Sequence, residues 1–180
     1  MAEGEAAFQH ALAYAEDRVQ GRAVGPGESG TILDHADVRR MLTGMKAEVF
    51  ASRALALDLA VALDMAAATG DAAWEARAAF LTPLAMNYGA ETGMSVADTG
   101  IQVHGGMGFV EETGAAQFAR DVRVTAIYEG TTGIQGMDLV GRKLADGGEM
   151  AFALSDEVAE TARAGQSEML AATAASLREA

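Results

Sequence analysis

The chain has no cysteine, so a disulfide framework, a thiolate zinc site, an iron–sulfur cluster and a cysteine nucleophile are all excluded. Its three histidines, His10, His35 and His104, are scattered and form no HExxH-type pair, which argues against a histidine-built metal centre. Positive charge is scarce: 13 Lys+Arg stand against 26 Asp+Glu, a net charge of −13. A nucleic-acid groove or an anionic-membrane contact needs concentrated cationic charge, so neither partner is expected. Long apolar runs are missing as well. The most apolar stretch, 54–68, is cut by Asp58 and Asp64 and falls short of the ~20 residues a spanning helix needs. The first residues are acidic where a signal peptide is basic. The expectation is a soluble, cytoplasmic protein without a membrane segment.

Only two prolines interrupt the 180 residues, and aromatic residues make up 6 % of them. Good helix formers (Ala, Leu, Met, Glu, Arg) fill the long stretches, and no convincing run alternates apolar with polar residues. Half of the chain is hydrophobic, which is ample for a core. An all-α domain follows. Phe8, Leu12, Ala15 and Val19 predict a helix over 5–19, stopped at Gly21 before the run Gly25-Pro26-Gly27-Glu28-Ser29-Gly30. A second helix starts at Asp34, a good cap residue, and runs to Thr69 on a stripe that includes Val38, Leu42, Met45, Val49, Leu59 and Leu63. At ~1.5 Å per residue it is roughly 50 Å long, the length of a bundle helix. Thr69-Gly70-Asp71 reads as a stop, a C-terminal glycine and a new cap. The third helix covers 72–103, and Thr82-Pro83 either kinks it or restarts it. A short helix at 115–119, irregular chain to Thr132, a helix over 133–144 and a helical tail follow. The sum is an antiparallel four-helix bundle over 1–146, with 147–180 packing on or extending it.

Chemistry concentrates between Gln102 and Gln135, where Gly105, Gly106, Gly108, Gly114, Gly130 and Gly133 stand among Arg120, Asp121, Arg123 and Glu129. Each glycine taken singly serves as a helix stop or tight turn, while the cluster suggests close approach of backbone to a ligand. In Ile127-Tyr128-Glu129-Gly130-Thr131-Thr132, a carboxylate facing a cleft is desolvated, and desolvation makes it a better proton acceptor at neutral pH. Gly130 leaves its N–H sterically bare for an oxyanion, and Thr131 and Thr132 can cap a following helix whose N-terminus suits an anion. The alternative is a capping turn with a solvated glutamate. His104 before two glycines is like an esterase oxyanion hole, but no GxSxG elbow accompanies it. Ser29-Gly30 makes no phosphate loop without a following Gly-Lys-Ser/Thr.

Three runs resemble, in order and spacing, the C-terminal helical domain of the flavin-dependent acyl-CoA dehydrogenases: Gln102-Val103-His104-Gly105-Gly106-Met107-Gly108-Phe109, Ala119-Arg120-Asp121-Val122-Arg123 and Ile127-Tyr128-Glu129-Gly130-Thr131. Tyr14, Arg18, Gln20 and Gly21 resemble the end of that family's preceding helix, so the resemblance covers roughly 5–145. Asp37-Val38-Arg39-Arg40-Met41-Leu42 and Glu129-Gly130-Thr131-Thr132-Gly133-Ile134-Gln135 look most like the longer bacterial branch, of the 3-methylmercaptopropionyl-CoA dehydrogenase type. The resemblance implies α,β-dehydrogenation of an acyl-CoA, with FAD as cofactor, an electron-transfer flavoprotein as redox partner, and a homodimer or homotetramer. It implies that Glu129 is the catalytic base and that the Gly130 N–H polarises the thioester carbonyl. Thr131 then contacts the FAD phosphates. Arg18, Gln20, Gln102, Gly105 and Gly106 join an FAD-binding set that reaches a neighbouring subunit's flavin. Arg120, Asp121 and Arg123 match an RD-x-R stretch, read as an ion-pair scaffold for the Glu129 loop. Gly133 departs from the family, which often has an FAD-touching Gln there. The family's N-terminal helical and middle β-domains have no counterpart in this sequence, so the chain reads as an excised piece, inactive alone. An acyl-CoA oxidase, or a non-catalytic helical oligomerisation module on the same scaffold, are the other readings.

Overall fold

A computed structural model describes residues 2–21, 30–165 and 168–179. Gly25 to Ser29 of the glycine-rich run lie outside the described residues. The helices are α1 (Ala2–Asp17), α2 (Ala36–Thr69), α3 (Ala72–His104), the single turn α4 (Gly106–Phe109), α5 (Ala115–Arg123), α6 (Thr132–Asp138), α7 (Glu149–Ala164) and α8 (Glu168–Glu179). Among the described residues there is no strand, and the one isolated bridge pairs Val19 with Thr31 in antiparallel sense. The chain is all-α, as its composition predicts. No described helix is long and apolar enough to cross a membrane.

The chain divides into two compact units, Met1–Asp58 with Ala85–Gly133 and Leu59–Leu84 with Ile134–Ala180. The first is built on four helical segments. Ala7, Phe8, Ala11 and Ala15 of α1, Leu42, Met45 and Val49 of α2, Val96, Ala97 and Val103 of α3, and Val122 of α5 make one buried cluster. Spacings of three and four residues, as in Leu42, Met45 and Val49, put such side chains on one helix face. Glycine lets two of these faces approach closely: a Cβ on Gly93 would sit 2.6 Å from Val122 Cγ2. In the second unit Ala62, Ala78, Phe80, Leu81 and Ala162 are buried. There Arg77 and Glu157 pair through two bonds, Nη1 to Oε2 at 2.5 Å and Nη2 to Oε1 at 3.3 Å.

Several boundaries differ from the sequence expectation, each for a local reason. α1 ends at Asp17 rather than 19, because the backbone after it pairs with the segment before α2: Ile32 N–H donates to Arg18 O at 2.7 Å. Asp34 does not cap α2. It closes a 3-10 turn over Ile32–Asp34, its carboxylate accepts from Gly30 N–H at 3.0 Å, and α2 opens at Ala36. Pro83 neither stops nor restarts α3, which runs through it, with Thr82 Oγ1 donating to Ala78 O at 2.7 Å. α5 extends to Arg123 instead of 119. α6 stops at Asp138, where a π-turn over Leu139–Lys143 takes over. At the α2–α3 corner the expectation holds: Gly70 is left-handed (φ 64°), and Asp71 Oδ1 accepts from Ala73 N–H at 2.9 Å.

Candidate active site

The Glu129 segment is a chain of tight turns. A 3-10 turn over Val124–Ala126 continues α5, and the N–H groups of Ile127 and Tyr128 both donate to Val124 O, at 3.0 and 3.1 Å. Glu129 then takes φ 59°, the single non-glycine residue at positive φ among the described residues, and Gly130 follows at φ 93°. A non-glycine residue in that region is uncommon and carries a conformational cost of about 1–2 kcal/mol. Strain of this kind persists where surrounding structure enforces it, and it clusters at functional sites. Past the turn, Thr132 opens α6, and its hydroxyl donates to Glu91 Oε1 at 3.1 Å, tying the segment to α3.

This segment lines a cavity of about 390 Å³ together with Ser52 and Ala56 of α2 and Ala85, Met86, Gly89 and Ala90 of α3. Val124, Thr125, Tyr128 and Glu129 form its other wall. Small apolar side chains dominate. Ser52 is buried, whereas Tyr128 is 70 % exposed and Glu129 is exposed too. The dry setting expected for the carboxylate is therefore not built by these helices alone: Glu129 stands at the rim of an apolar hollow rather than inside it.

A second cavity, of about 310 Å³, gathers Arg18, Gln20 and Gly105 with Tyr14, His35 and His104. Arg18 Nη2 donates to Gln20 Oε1 at 3.2 Å, and His35 Nε2 lies 2.9 Å from Gln20 O. Gly105 has φ 60° at the turn between α3 and α4, a conformation that favours glycine. Gly108 is required for a different reason. A Cβ there would collide with the backbone of Ile101, so only glycine lets α4 fold back onto α3. Gln102 instead lines a separate hollow of about 250 Å³ with Arg40, Glu48, Asp98 and Thr99, and Gly106 is exposed beside the turn. Thr131 is exposed, and α6 after it is only seven residues long. The structure thus brings three of the eight sequence-derived site residues around one cavity, sets Glu129 in another, and leaves Gln102 in a third.

The sequence singled out His104 and Tyr14 but gave no sign that they touch. His104 is 4 % exposed, and its ring stacks on Tyr14 at 4.2 Å and on His10 at 4.8 Å. His104 Nδ1 lies 2.7 Å from Gly100 O, while its Nε2 is buried without a hydrogen-bond partner. Burial holds the imidazole below its ordinary pKa; the Gly100 carbonyl opposes that, and nearby His10 adds to it. Neutral His104 therefore donates from Nδ1 and carries an acceptor lone pair on Nε2. With a guanidinium and an amide in its walls, the second cavity fits an anionic group that also carries hydroxyls. Only the positions of α1 beneath α3 bring His10 and His104 together, which is why sequence spacing gave no hint of it.

Arg120, Asp121 and Arg123 do not pair with one another. Arg120 Nη2 donates to Gln117 Oε1 at 2.6 Å and lies 3.7 Å from Glu111, Asp121 Oδ1 accepts from Gln117 Nε2 at 2.6 Å, and Arg123 Nη1 reaches Met94 Sδ at 3.5 Å. In place of the expected ion-pair scaffold, Arg120 and Asp121 gather around Gln117 while Arg123 lies against Met94.

Comparison with known proteins adds the lineage. The family model for the acyl-CoA dehydrogenase C-terminal domain matches residues 1–145. The chain is 48 % identical over 166 residues to the 3-methylmercaptopropionyl-CoA dehydrogenase of Ruegeria pomeroyi, covering 87 % of this chain and 28 % of that protein. It is 40 % identical over 144 residues to a butyryl-CoA dehydrogenase of Syntrophomonas wolfei, covering 77 % of this chain and 24 % of the relative. The solved butyryl-CoA dehydrogenase of Megasphaera elsdenii superposes with a TM-score of 0.63 at 27 % identity, over 77 % of this chain and 32 % of that one. The chain thus spans about a quarter of the length of these curated relatives. Its helices, its turn chemistry and these matches together make it a member of the acyl-CoA dehydrogenase family, corresponding to that family's C-terminal helical domain.

Proposed function

We propose that this chain is the C-terminal helical part of a flavin-dependent acyl-CoA dehydrogenase, in which Glu129 removes a proton from the α-carbon of an acyl-CoA thioester. The bundle is assigned to 1–146 and the tail to 147–180. The observation that carries the reading is the left-handed pair Glu129-Gly130 at the rim of the apolar cavity. A strained carboxylate beside a hollow of Ala, Gly and Met side chains suits an apolar acyl group whose α-carbon must meet a base.

Glu129 accepts the α-proton on a carboxylate oxygen. The Gly130 N–H donates to the thioester carbonyl oxygen and so stabilises the charge that develops there. FAD, when bound, supplies the acceptor for the β-hydrogen and its electron pair. Arg18, Gln20 and Gly105 around the second cavity would hold it, with Gly106, Gln102 and Thr131 outside that cavity completing the set; the guanidinium would supply charge to a phosphate and the Gln20 amide hydrogen bonds to hydroxyls. An acyl chain lying in the hollow displaces water and supplies the desolvation that the helices alone leave incomplete. Acyl-CoA as substrate, an electron-transfer flavoprotein as redox partner, a homodimer or homotetramer and a cytoplasmic location belong to the same reading.

The test is Glu129→Gln in the full-length protein that carries this chain. Removal of a general base costs about 10²–10⁴ in turnover, and the flavin spectrum should be unchanged. Near-normal turnover in the variant would place the base elsewhere.

A further inference from the structure

Two separate pieces of the proposed cofactor set must be held at a fixed spacing: Arg18 and Gln20 just past the end of α1, and Gly105 just past the end of α3. Arg18 bonds to Gln20, and the Gly105 N–H donates to Gln102 O at 3.0 Å, both within their own segments. What joins them is a row of rings, from the last residue of α3 and from one and two turns back along α1. Tyr14 and His10, four residues apart on one face of α1, both stack on His104, the last residue of α3, with interplanar angles of 27° and 20°. His10 is itself pinned, its Nε2 2.8 Å from Thr113 O and its ring 5.6 Å from that of Phe118 on α5. His104 is pinned by Gly100 O.

The ring also stands immediately before Gly105, whose φ of 60° reverses the chain. A shift of His104 therefore moves the turn directly, with no flexible residue between them. Aromatic rings prefer offset-stacked or edge-to-face arrangements, so the row orients the two helix ends as well as adding contact area. Tyr14 and His104 both line the cavity shared with Arg18, Gln20 and Gly105, so these two rings form part of its wall.

We propose that His104 is a positioning residue, which acts through its stack on Tyr14 and His10 to set the spacing between the α1 end and the Gly105-Gly106 turn that cofactor binding requires. The proposal rests on the functional reading above. It concerns geometry, so any flat, uncharged ring at position 104 should serve.

The experiment measures FAD affinity of the full-length protein, by flavin released on ultrafiltration, at a temperature where far-UV circular dichroism gives every variant wild-type helix content. Breaking the stack from either side, with His104→Ala or Tyr14→Leu, should weaken FAD binding by roughly tenfold, the scale of one lost aromatic pair. Keeping the rings, with His104→Phe or Tyr14→Phe, should leave affinity within about threefold of wild type. That split between ring-keeping and ring-removing variants is what a general loss of stability would not produce. Wild-type affinity in His104→Ala and Tyr14→Leu overturns the proposal alone, as does an equal loss in the Phe variants. A wild-type protein that purifies without flavin overturns the functional reading and this proposal together.

Discussion

Two Gly→Ala substitutions in the long helices should move stability in opposite directions, and the sign in each case comes from the packing. Gly44 lies on α2 with open space where a Cβ would go. Alanine there gains the helix-propensity difference of about 0.5–1 kcal/mol and loses nothing. Gly93 lies on α3, and its Cβ would stand 2.6 Å from Val122 Cγ2. Ordinary carbon contacts sit at about 3.5–4.0 Å, so nearly an ångström must be found. Val122 cannot readily yield: it is 1 % exposed, and a β-branched side chain is stiff at χ1. Overpacking of this kind costs about 1–3 kcal/mol, which outweighs the propensity gain. Thermal unfolding followed by far-UV circular dichroism should show Tm raised by about 1–4 °C for Gly44→Ala and lowered by a similar or larger amount for Gly93→Ala. Shrinking the obstacle tests the mechanism. In a double-mutant cycle, Gly93→Ala with Val122→Ala should lose clearly less than the sum of the single changes. Equal stabilisation by both alanines, or strict additivity in the cycle, would refute the close approach of α3 to α5.

Acid should weaken the fold through His104. Its folded pKa is depressed by burial, so the unfolded chain takes up a proton first; the contribution is complete above the unfolded value of about 6.5 and is lost as pH falls below it. Urea midpoints measured from pH 7.5 to 5 should fall, with a shallower slope in His104→Phe, and parallel slopes would refute this origin. At the α2–α3 corner, Asp71→Ala removes the side-chain acceptor for the Ala73 N–H and should cost about 1 kcal/mol in the same urea assay, most of it restored by Asp71→Ser.

Much of the scaffold was legible along the chain. Alanine- and leucine-rich stretches with three- and four-residue spacing, a Gly-Asp corner at 70–71 and two prolines were enough to predict long helices and their order. The misreadings came where a short-range preference competed with a backbone partner further away. Asp34 is a good cap in isolation, but the pairing of Ile32 with Arg18 shapes the segment before it. Pro83 removes one helical donor, yet neighbouring burial of Phe80 and Leu81 keeps α3 continuous. The site residues divide in the same way. Glu129 and Gly130 were conspicuous as a carboxylate beside glycine, because local composition and backbone freedom show in one dimension. The left-handed φ of Glu129 was not, since it depends on how the turns after α5 close.

Residue spacing alone decided that this chain would be helical and where its turns chemistry would lie, because helix propensity and amphipathic period act between near neighbours. Which hollows form, which rings meet and which carboxylate stays wet were decided by the packing of α1, α3 and α5. Those depend on contacts between residues such as His10 and His104 that lie almost the whole bundle apart along the chain, and no local preference encodes a distance between them. The exposure of Glu129 is the sharpest instance: apolar neighbours in sequence suggested a buried carboxylate, but burial is set by what stands opposite a side chain, not by what flanks it.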